Sequence, residues 1–202
     1  GGTTQGPLTA AEVGGKLDRR DAQVKIDGVL ALSLSYGDAT DLYRINLGWA
    51  NQQREAPGFR LDVEKGYWSS NQADDQDQDD AATAGRIIRV VPYVMDTKNA
   101  LVLRVEPMRP PEEMASLQAA LAEAIQKHFQ LESRELASEA LPSSRERREI
   151  LFYEAAEGGA GVLRQLVEDP QVIPALARRA LEICHFDPDT LHDNHAETCG
   201  KA

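Results

Sequence analysis

Cysteines and histidines are concentrated near the end of this 202-residue chain, as Cys184, His185, His192, His195 and Cys199. Thiolate and imidazole are the ligands that zinc prefers, usually four to a tetrahedral site. The cysteines are too far apart for the short knuckle of such sites, so histidines or residues beyond Ala202 would have to complete one. The candidate ligands are Cys184 and Cys199, with His185 and His195 as weaker ones. The alternative is a cysteine buried at a helix end and followed by an exposed loop.

A glycine-rich turn between a predicted strand and a predicted helix is the second candidate site, formed by Gly158, Gly159 and Gly161. Such a turn can present backbone N–H groups to an anion at a helix N-terminus. The lysine and the glycine spacing of phosphate-binding loops are absent, and Glu154 and Glu157 would repel a phosphate. The structural interpretation is that glycines let the strand and the helix approach closely.

Clustered arginines are the candidate DNA contacts, namely Arg145, Arg147 and Arg148 before one predicted strand and Arg178 and Arg179 in the last predicted helix. The chain has 22 Lys and Arg against 33 Asp and Glu, a net charge of −11. Because phosphate binding depends on cations that release counterions, this balance excludes nucleic-acid binding through bulk charge. A DNA contact would need a local basic patch, and ordinary solvated arginines are the alternative.

Hydropathy alternation predicts an antiparallel sheet in the first half of the chain. The expected strands cover residues 23–34 (one half-buried strand, or a strand pair bent near Asp27-Gly28), 42–49, 59–63, 86–94 and 100–105. Turns are expected at Tyr36-Gly37-Asp38 and over residues 95–99. The strand over 86–94 is apolar on both faces and is therefore predicted to be central.

Helices are predicted to follow the sheet. Pro110-Pro111 ends the sheet and begins a helix over 111–129, with Glu112 and Glu113 in its first turn. The further expected elements are a short helix over 133–140, a strand over 150–153, a helix from Val162 and a last helix over 172–184. Together these elements predict an α+β fold, a largely antiparallel sheet with packed helices and a helix-rich C-terminal half.

The expected organisation is a flexible lead-in over 1–22, a β-rich part over 23–110 and an α/β module over 111–202. Residues 71–85 contain five aspartates and no large apolar residue, which predicts a disordered acidic loop. No apolar run is long enough to cross a bilayer and no signal peptide opens the sequence. We therefore expect a cytoplasmic protein without a membrane partner.

Four segments of the C-terminal half resemble a known module. They read MDTKNALVLRVEP, ASLQAALAEAIQKHFQLESREL, ILFYEAAEGGAGVLRQLV and ALARRALEICHFDPDT. This part of the chain, roughly residues 90–202, resembles the zinc-binding, helicase-associated domain of unknown function found in Mrf-type helicases. That module occurs at the C-termini of bacterial superfamily 2 DEAD/DEAH helicases and in helicase-partner subunits of DISARM-type phage defence.

The resemblance implies a structural zinc site of four cysteines, with Cys184 as the first ligand and Cys199 as the second. The other two form a C-x-x-C downstream in the family, so we expect the site to be truncated in this sequence or completed by histidines. No Walker lysine or DExH box is present. The expected role is therefore a non-catalytic accessory module in DNA repair or phage defence, positioning helicase motor domains, DNA or a partner subunit. The alternative is an acidic protein–protein scaffold without nucleic-acid contact.

Overall fold

The computed structural model of the protein describes residues 8–10, 19–48, 57–69, 86–156 and 159–194. The chain divides into two units, one of Gly1–Thr9 with Tyr43–Met95 and one of Ala10–Leu42 with Asp96–Ala202. The described elements are β1 (Leu8–Ala10), β2 (Arg19–Ile26), β3 (Val29–Ile45), β4 (Phe59–Asp62), β5 (Tyr67–Ser69), β6 (Ile87–Val90), β7 (Tyr93–Val105), α1 (Pro111–Phe129), β8 (Leu136–Leu141), β9 (Glu149–Glu154), α2 (Val162–Glu168) and α3 (Val172–Ile183). Antiparallel sheets with three helices confirm the predicted α+β class, and the C-terminal half contains two strands beside the helices.

The larger unit is a sheet covered by helices. Its strands follow the order β3-β7-β9-β8, with β2 also paired to β3. Helix α1 begins at Pro111 as predicted and ends where Gln130 adopts a left-handed conformation. The core lies between the sheet and the helices and includes Leu34, Tyr36, Leu101, Leu103, Met114, Ile125, Ile150, Phe152, Leu163 and Leu176. No helix in the described ranges has the length and apolarity needed to cross a membrane.

The first hairpin confirms the strand pair expected near Asp27-Gly28. Strands β2 and β3 pair antiparallel up to Ile26 opposite Val29. Asp27 and Gly28 have φ angles of 51° and 82°. Positive φ at both central residues is the geometry of a two-residue hairpin turn whose twist matches that of the strands.

Strands β3 and β7 run through both predicted turns, so the turns at residues 36–38 and 95–99 are wrong. The polar side chains of these segments resemble turn signals in the sequence. In the structure they form hydrogen bonds between the two strands instead. Asn99 Oδ1 accepts a hydrogen bond from the Ala39 N–H at 3.2 Å, and the Thr97 hydroxyl donates to Asp41 at 2.9 Å. Hydrogen bonds to the neighbouring strand therefore keep both segments within β3 and β7, and the left-handed φ of 49° at Ala39 lies just after the first predicted turn.

The helix predicted over 133–140 is also wrong, because this segment forms strand β8. Every residue from Leu136 to Leu141 pairs with β9, from Leu136 opposite Glu154 to Leu141 opposite Glu149. Both Leu136 and Leu141 are buried. Glutamate, alanine and leucine favour a helix locally, but pairing with a buried neighbouring strand overrides that preference.

The smaller unit contains a separate three-stranded sheet in the order β5-β4-β6. Strand β4 confirms the strand predicted over 59–63. The strand predicted over 86–94 is not central: β6 lies at a sheet edge, and Ile87 and Ile88 are 40% and 37% exposed. The chain leaves β6 at Val90 and enters β7 at Tyr93, with Pro92 between them. A proline has no N–H for a sheet hydrogen bond, which explains the break.

Replacing Phe152 by Ala tests whether β9 contributes to the core of the larger unit. Phe152 is fully buried, so we expect the free energy of unfolding to fall by about 3–5 kcal/mol. Val29→Ala is the matched control, because Val29 is 68% exposed and its loss should change stability by about 0.5 kcal/mol or less. Urea unfolding followed by circular dichroism measures both. Equal effects of the two substitutions would contradict this core.

Candidate functional site

The glycine-rich turn leads from strand β9 into helix α2 and surrounds the carboxylate of Glu154. Glu154 ends β9 and is only 2% exposed. Its Oε1 accepts a hydrogen bond from the Leu163 N–H at 3.0 Å, and its Oε2 accepts one from the Gly161 N–H at 3.1 Å. The first N–H groups of a helix have no partner inside the helix. Glu154 therefore fills, within the chain, the place that an external anion would take at this turn.

Gly159 is required by this arrangement. It has a φ angle of 62°, and a Cβ atom at this position would overlap with Oε2 of Glu154 and lie 2.6 Å from Nδ2 of Asn99. Gly161 has a φ angle of 71°, but a Cβ there would meet no atom within 4 Å. The third predicted glycine, Gly158, lies outside the described residues. The two described glycines thus differ, since an added Cβ atom would overlap with the carboxylate only at Gly159.

Asn99 connects this carboxylate to the rest of the sheet. Its amide nitrogen donates to Oε2 of Glu154 at 3.1 Å, and its amide oxygen accepts from Ala39 at 3.2 Å. The neighbouring Lys98 donates to the carbonyl oxygen of Ala155 at 2.7 Å. Sequence reasoning missed both residues, because they fall in the segment that was predicted to be a turn. Only the pairing of β7 with β9 brings them to the glycine turn.

Tyr36 is a second buried polar group in the larger unit. Its ring is 1% exposed, and its hydroxyl donates a hydrogen bond to Asp38. Burial raises the pKa of Tyr36 most strongly, and the nearby carboxylates of Asp38 and Glu154 raise it further. The hydroxyl therefore remains protonated and acts as a donor across the physiological pH range.

The predicted metal-binding segment begins where helix α3 ends. Cys184 is the C-cap residue of α3, and its thiol is free and exposed, unlike the buried cysteine of the structural alternative. His185 follows with a φ angle of 65°, which turns the chain out of the helix. A β-bridge then joins Phe186 to Asp193, and the Asn194 N–H donates to the His185 carbonyl at 2.8 Å. The chain thus returns to His185 ten residues after leaving the helix.

A turn centred on Asp187 holds this loop. The Asp187 carboxylate accepts hydrogen bonds from the N–H groups of Thr190 at 2.7 Å and Asp189 at 2.9 Å. The bond from Thr190 is the main cause that lowers the pKa of Asp187. Arg178 on α3 pairs with Asp189 at 2.6 Å, which raises the pKa of that guanidinium. The loop is therefore attached to the helix that precedes it.

Only part of the predicted ligand set can be placed. Cys184 and His185 lie together at the end of α3, whereas His195 and Cys199 lie outside the described residues. Within the described ranges, no group of three or more His, Cys, Asp and Glu side chains could hold a metal ion. The thiol of Cys184 and the imidazole of His185 are suitable zinc ligands, and the loop that returns to them is a suitable support. These two ligands supply at most half of a tetrahedral site.

Most of the predicted DNA-binding arginines have partners within the chain. Arg147 donates to Gln118 of α1 at 2.9 Å, and Arg148 pairs with Glu146 at 2.8 Å. On α3, Arg178 pairs with Asp189, and Arg179 pairs with Glu182 at 3.0 Å. The five arginines of the prediction are Arg145, Arg147, Arg148, Arg178 and Arg179. Arg145 is exposed and has no side-chain hydrogen bond or ion pair with any described residue.

An apolar groove of about 560 Å³ lies between α1 and α3. Leu117 and Leu121 line it from α1, and Ile173 lines it from α3. Cys184 and Phe186 also line this groove, so the candidate metal ligand lies beside apolar surface. The sequence indicated the apolar face of each helix but not the space between them.

Comparison with known proteins gives one family and one structure. A family model described as the MrfA Zn-binding domain matches residues 117–201, from within α1 to Lys201. A crystal structure described as the DUF1998 helicase MrfA bound to DNA is similar to 94% of this chain, at 11% sequence identity and a TM-score of 0.41. The chain spans 23% of the length of that protein. No curated protein matches the chain.

Residues 117–201 are similar to the MrfA Zn-binding domain family, which confirms the resemblance to zinc-binding, helicase-associated domains found in the sequence. The match contains β8, β9, the glycine turn, α2, α3 and both cysteines. Zinc binding is the property for which the family is named.

Substituting the two described glycines separately tests the glycine turn. Gly159→Ala should lower the free energy of unfolding by about 2–4 kcal/mol, because a left-handed φ and an overlap with Glu154 add together. Gly161→Ala should lower the free energy of unfolding by about 1–2 kcal/mol, because only the left-handed backbone conformation disfavours alanine there. Urea unfolding of each variant gives the comparison. Equal losses would show that Gly159 does not pack on the carboxylate.

Proposed function

We propose that this chain is a non-catalytic accessory module of a bacterial DNA helicase system that acts in DNA repair or phage defence. The observation that carries the proposal is the family match over residues 117–201. The module would position the helicase motor, the DNA or a partner subunit. The sequence has no Walker lysine and no DExH box, so ATP hydrolysis would belong to other domains or subunits. We place this function in the cytoplasm.

Zinc would serve as a structural clip between α3 and the segment that follows it. Cys184 would be one ligand and Cys199 a second, with His185 and His195 as candidates for the remaining positions. The Asn194 N–H bonds to the His185 carbonyl, and five residues of chain span at most about 18 Å. His195 and Cys199 are therefore within reach of Cys184. A bound zinc ion would stabilise this loop, because its binding energy becomes folding energy.

DNA contact by the module would involve exposed cations in loops and on α3. Arg145 is the first candidate, because its exposed guanidinium has no partner among the described residues. Arg148, Arg178 and Arg179 are exposed, but each would have to exchange an intramolecular carboxylate for a phosphate. Arg147 is half-buried against Gln118, so a structural role fits it better.

The second candidate function is a protein–protein scaffold without nucleic-acid contact. The net charge of −11 and the ion pairs of Arg148, Arg178 and Arg179 favour it. Salt dependence separates the two functions, because the affinity of arginines for phosphate falls steeply as salt rises.

The zinc content of the protein expressed from its whole gene tests the zinc clip. We expect about one zinc ion per chain in reducing buffer, measured by mass spectrometry of the metal. Cys184→Ser and Cys199→Ser should each lose it. His128→Ala is the control, because His128 lies on α1 in edge contact with Phe129 and should leave the zinc content unchanged. Zinc-free protein, or zinc retained by Cys184→Ser, would contradict the proposed ligands.

Isolation of the native protein tests the helicase association. We expect peptide mapping to find a helicase motor, either in the same polypeptide or in a partner that co-purifies. Binding of the complex to forked DNA should weaken on Arg145→Ala, with a log–log salt slope that is smaller by about 0.9. Arg134→Ala is the control, because that arginine is exposed beside Glu132 in another loop. A native protein without any motor would refute the helicase association, and a motor complex whose DNA binding ignores Arg145→Ala would favour the scaffold.

A further inference from the structure

The groove between α1 and α3 opens the apolar core of the larger unit to the solvent. Leu32 of β3 and Leu103 of β7 form its floor, and the facing sides of the two helices form its walls. Leu103 and Leu176 are 2% exposed or less, whereas Phe186, which also lines the groove, is 37% exposed. The lining thus runs from buried to solvent-exposed apolar side chains, and covering it would remove apolar surface from water.

The lining of the groove follows both helices for about two to three turns. It extends over residues 113–121 of α1 and 173–184 of α3. At a rise of about 1.5 Å per residue, these stretches are about 12 Å and about 16 Å long. The groove therefore has the length of a helix of about 8 to 11 residues.

Small side chains line the groove on both helices. Ser116 and Ala120 lie on α1, and Ala177 and Ala180 lie on α3. Of these four residues, Ser116 and Ala177 are exposed. The axes of packed helices are about 8–10 Å apart, and the distance depends on the side chains at the contact. Small residues on both walls would therefore let a third helix lie close to α1 and α3 at once.

Two charged side chains without a partner lie beside these apolar walls. Arg109 and Glu113 line the groove where α1 begins, and both are exposed. Neither has a hydrogen bond, an ion pair or another electrostatic interaction with any described residue. Other exposed arginines of the larger unit are paired within the chain, as Arg134 is with Glu132. A free cation and a free anion at an apolar groove suit an occupant that brings the opposite charge to each.

The described helices of this chain do not supply an occupant for its own groove. Helices α1 and α3 form the walls, and their apolar sides already face the groove and the core. Helix α2 has seven residues and buries Val162, Leu163 and Leu166 in the core. The described part of a second copy therefore presents no free apolar helix, which favours a helix from another domain or subunit.

We propose that the groove binds an amphipathic helix of the helicase motor polypeptide. Apolar side chains three and four positions apart on that helix would fill the space between α1 and α3. An acidic side chain of the helix would face Arg109, and a basic one would face Glu113. The inference rests on the proposed function, because the motor supplies the helix, but it requires neither zinc nor DNA.

Photo-cross-linking in the purified native complex tests this occupant. The photoreactive residue benzoylphenylalanine replaces either Ala177 or Ala119; both alanines are exposed and lie on helices, but of the two only Ala177 lines the groove. We expect position 177 to cross-link to a motor segment whose apolar residues recur three and four positions apart and which carries an acidic and a basic residue. Position 119 should not cross-link to that segment. Peptide mapping identifies the cross-linked peptides.

Substitutions on the two helices test the apolar contact. Ala177→Glu should weaken docking about 10-fold or more, because it would place a carboxylate against apolar side chains. Ala119→Glu is the matched control and should leave docking unchanged, since Ala119 is exposed outside the groove. The cross-link yield from benzoylphenylalanine at position 116, on the opposite wall, measures docking in both variants. Circular dichroism checks that each variant folds.

A charge exchange tests the two free side chains. The double variant Arg109→Glu and Glu113→Arg keeps the net charge and should weaken docking about 2- to 30-fold, because two favourable pairs become two repulsive ones. Exchanging the facing acidic and basic residues of the cross-linked motor segment should restore docking. A merely structural role of Arg109 and Glu113 would not produce this rescue.

Three results would overturn the proposal while the motor is present: no cross-link from position 177 to the motor, a cross-link to a second copy of this chain instead, or equal cross-link yields in folded Ala177→Glu and Ala119→Glu variants. Each of them would leave the helicase association standing. A native protein without any motor would refute that association and the motor helix as the occupant together. The presence of motor peptides therefore distinguishes the two failures.

Discussion

The burial of one carboxylate, that of Glu154, is the constraint on which the larger unit depends. A buried carboxylate costs several kcal/mol unless hydrogen bonds replace its water. Here three donors do so: the amide of Asn99 and the N–H groups of Gly161 and Leu163. Each donor belongs to a different part of the unit, namely strand β7, the glycine turn and helix α2. The hydrogen bonds to this one carboxylate therefore attach the helix to the sheet. The turn also requires glycine at Gly159, because a side chain there would overlap with the carboxylate.

The sequence predicted those elements whose local preference agrees with their packing. Helix α1 has prolines at its start and an apolar face, and β9 is a short apolar run, so both were found where they were predicted. The failures occurred where pairing decides the conformation. Strand β8 has helix-forming residues, and β3 and β7 contain turn-forming ones, yet all three are held by neighbouring strands. Partners distant in the chain cannot be read from local composition, and this limits prediction here.

The candidate site was predicted in part, and the reason differs between its components. Sequence reasoning singled out the cysteines and the glycine turn because cysteines, histidines and glycines lie unusually close together in those two segments. Asn99 was missed, since an asparagine in a polar segment carries no sign that it will contact a buried carboxylate 55 residues away. Four arginines of the predicted DNA contacts turned out to be bonded within the chain, which neighbouring glutamates at short spacing already suggest for Arg148 and Arg179.

Clustering of charge along the sequence and clustering of charge on the surface are therefore different properties of this protein. Arginines that are close in sequence to acidic residues form local ion pairs, so their positive charge is offset where it arises. Arg60 and Arg89 are 29 positions apart and come together only through the register of β4 and β6. A one-residue shift of that register would move one of them to the opposite face of the sheet. Strand register, which local composition does not reveal, therefore decides which charged side chains come to lie beside each other on this sheet.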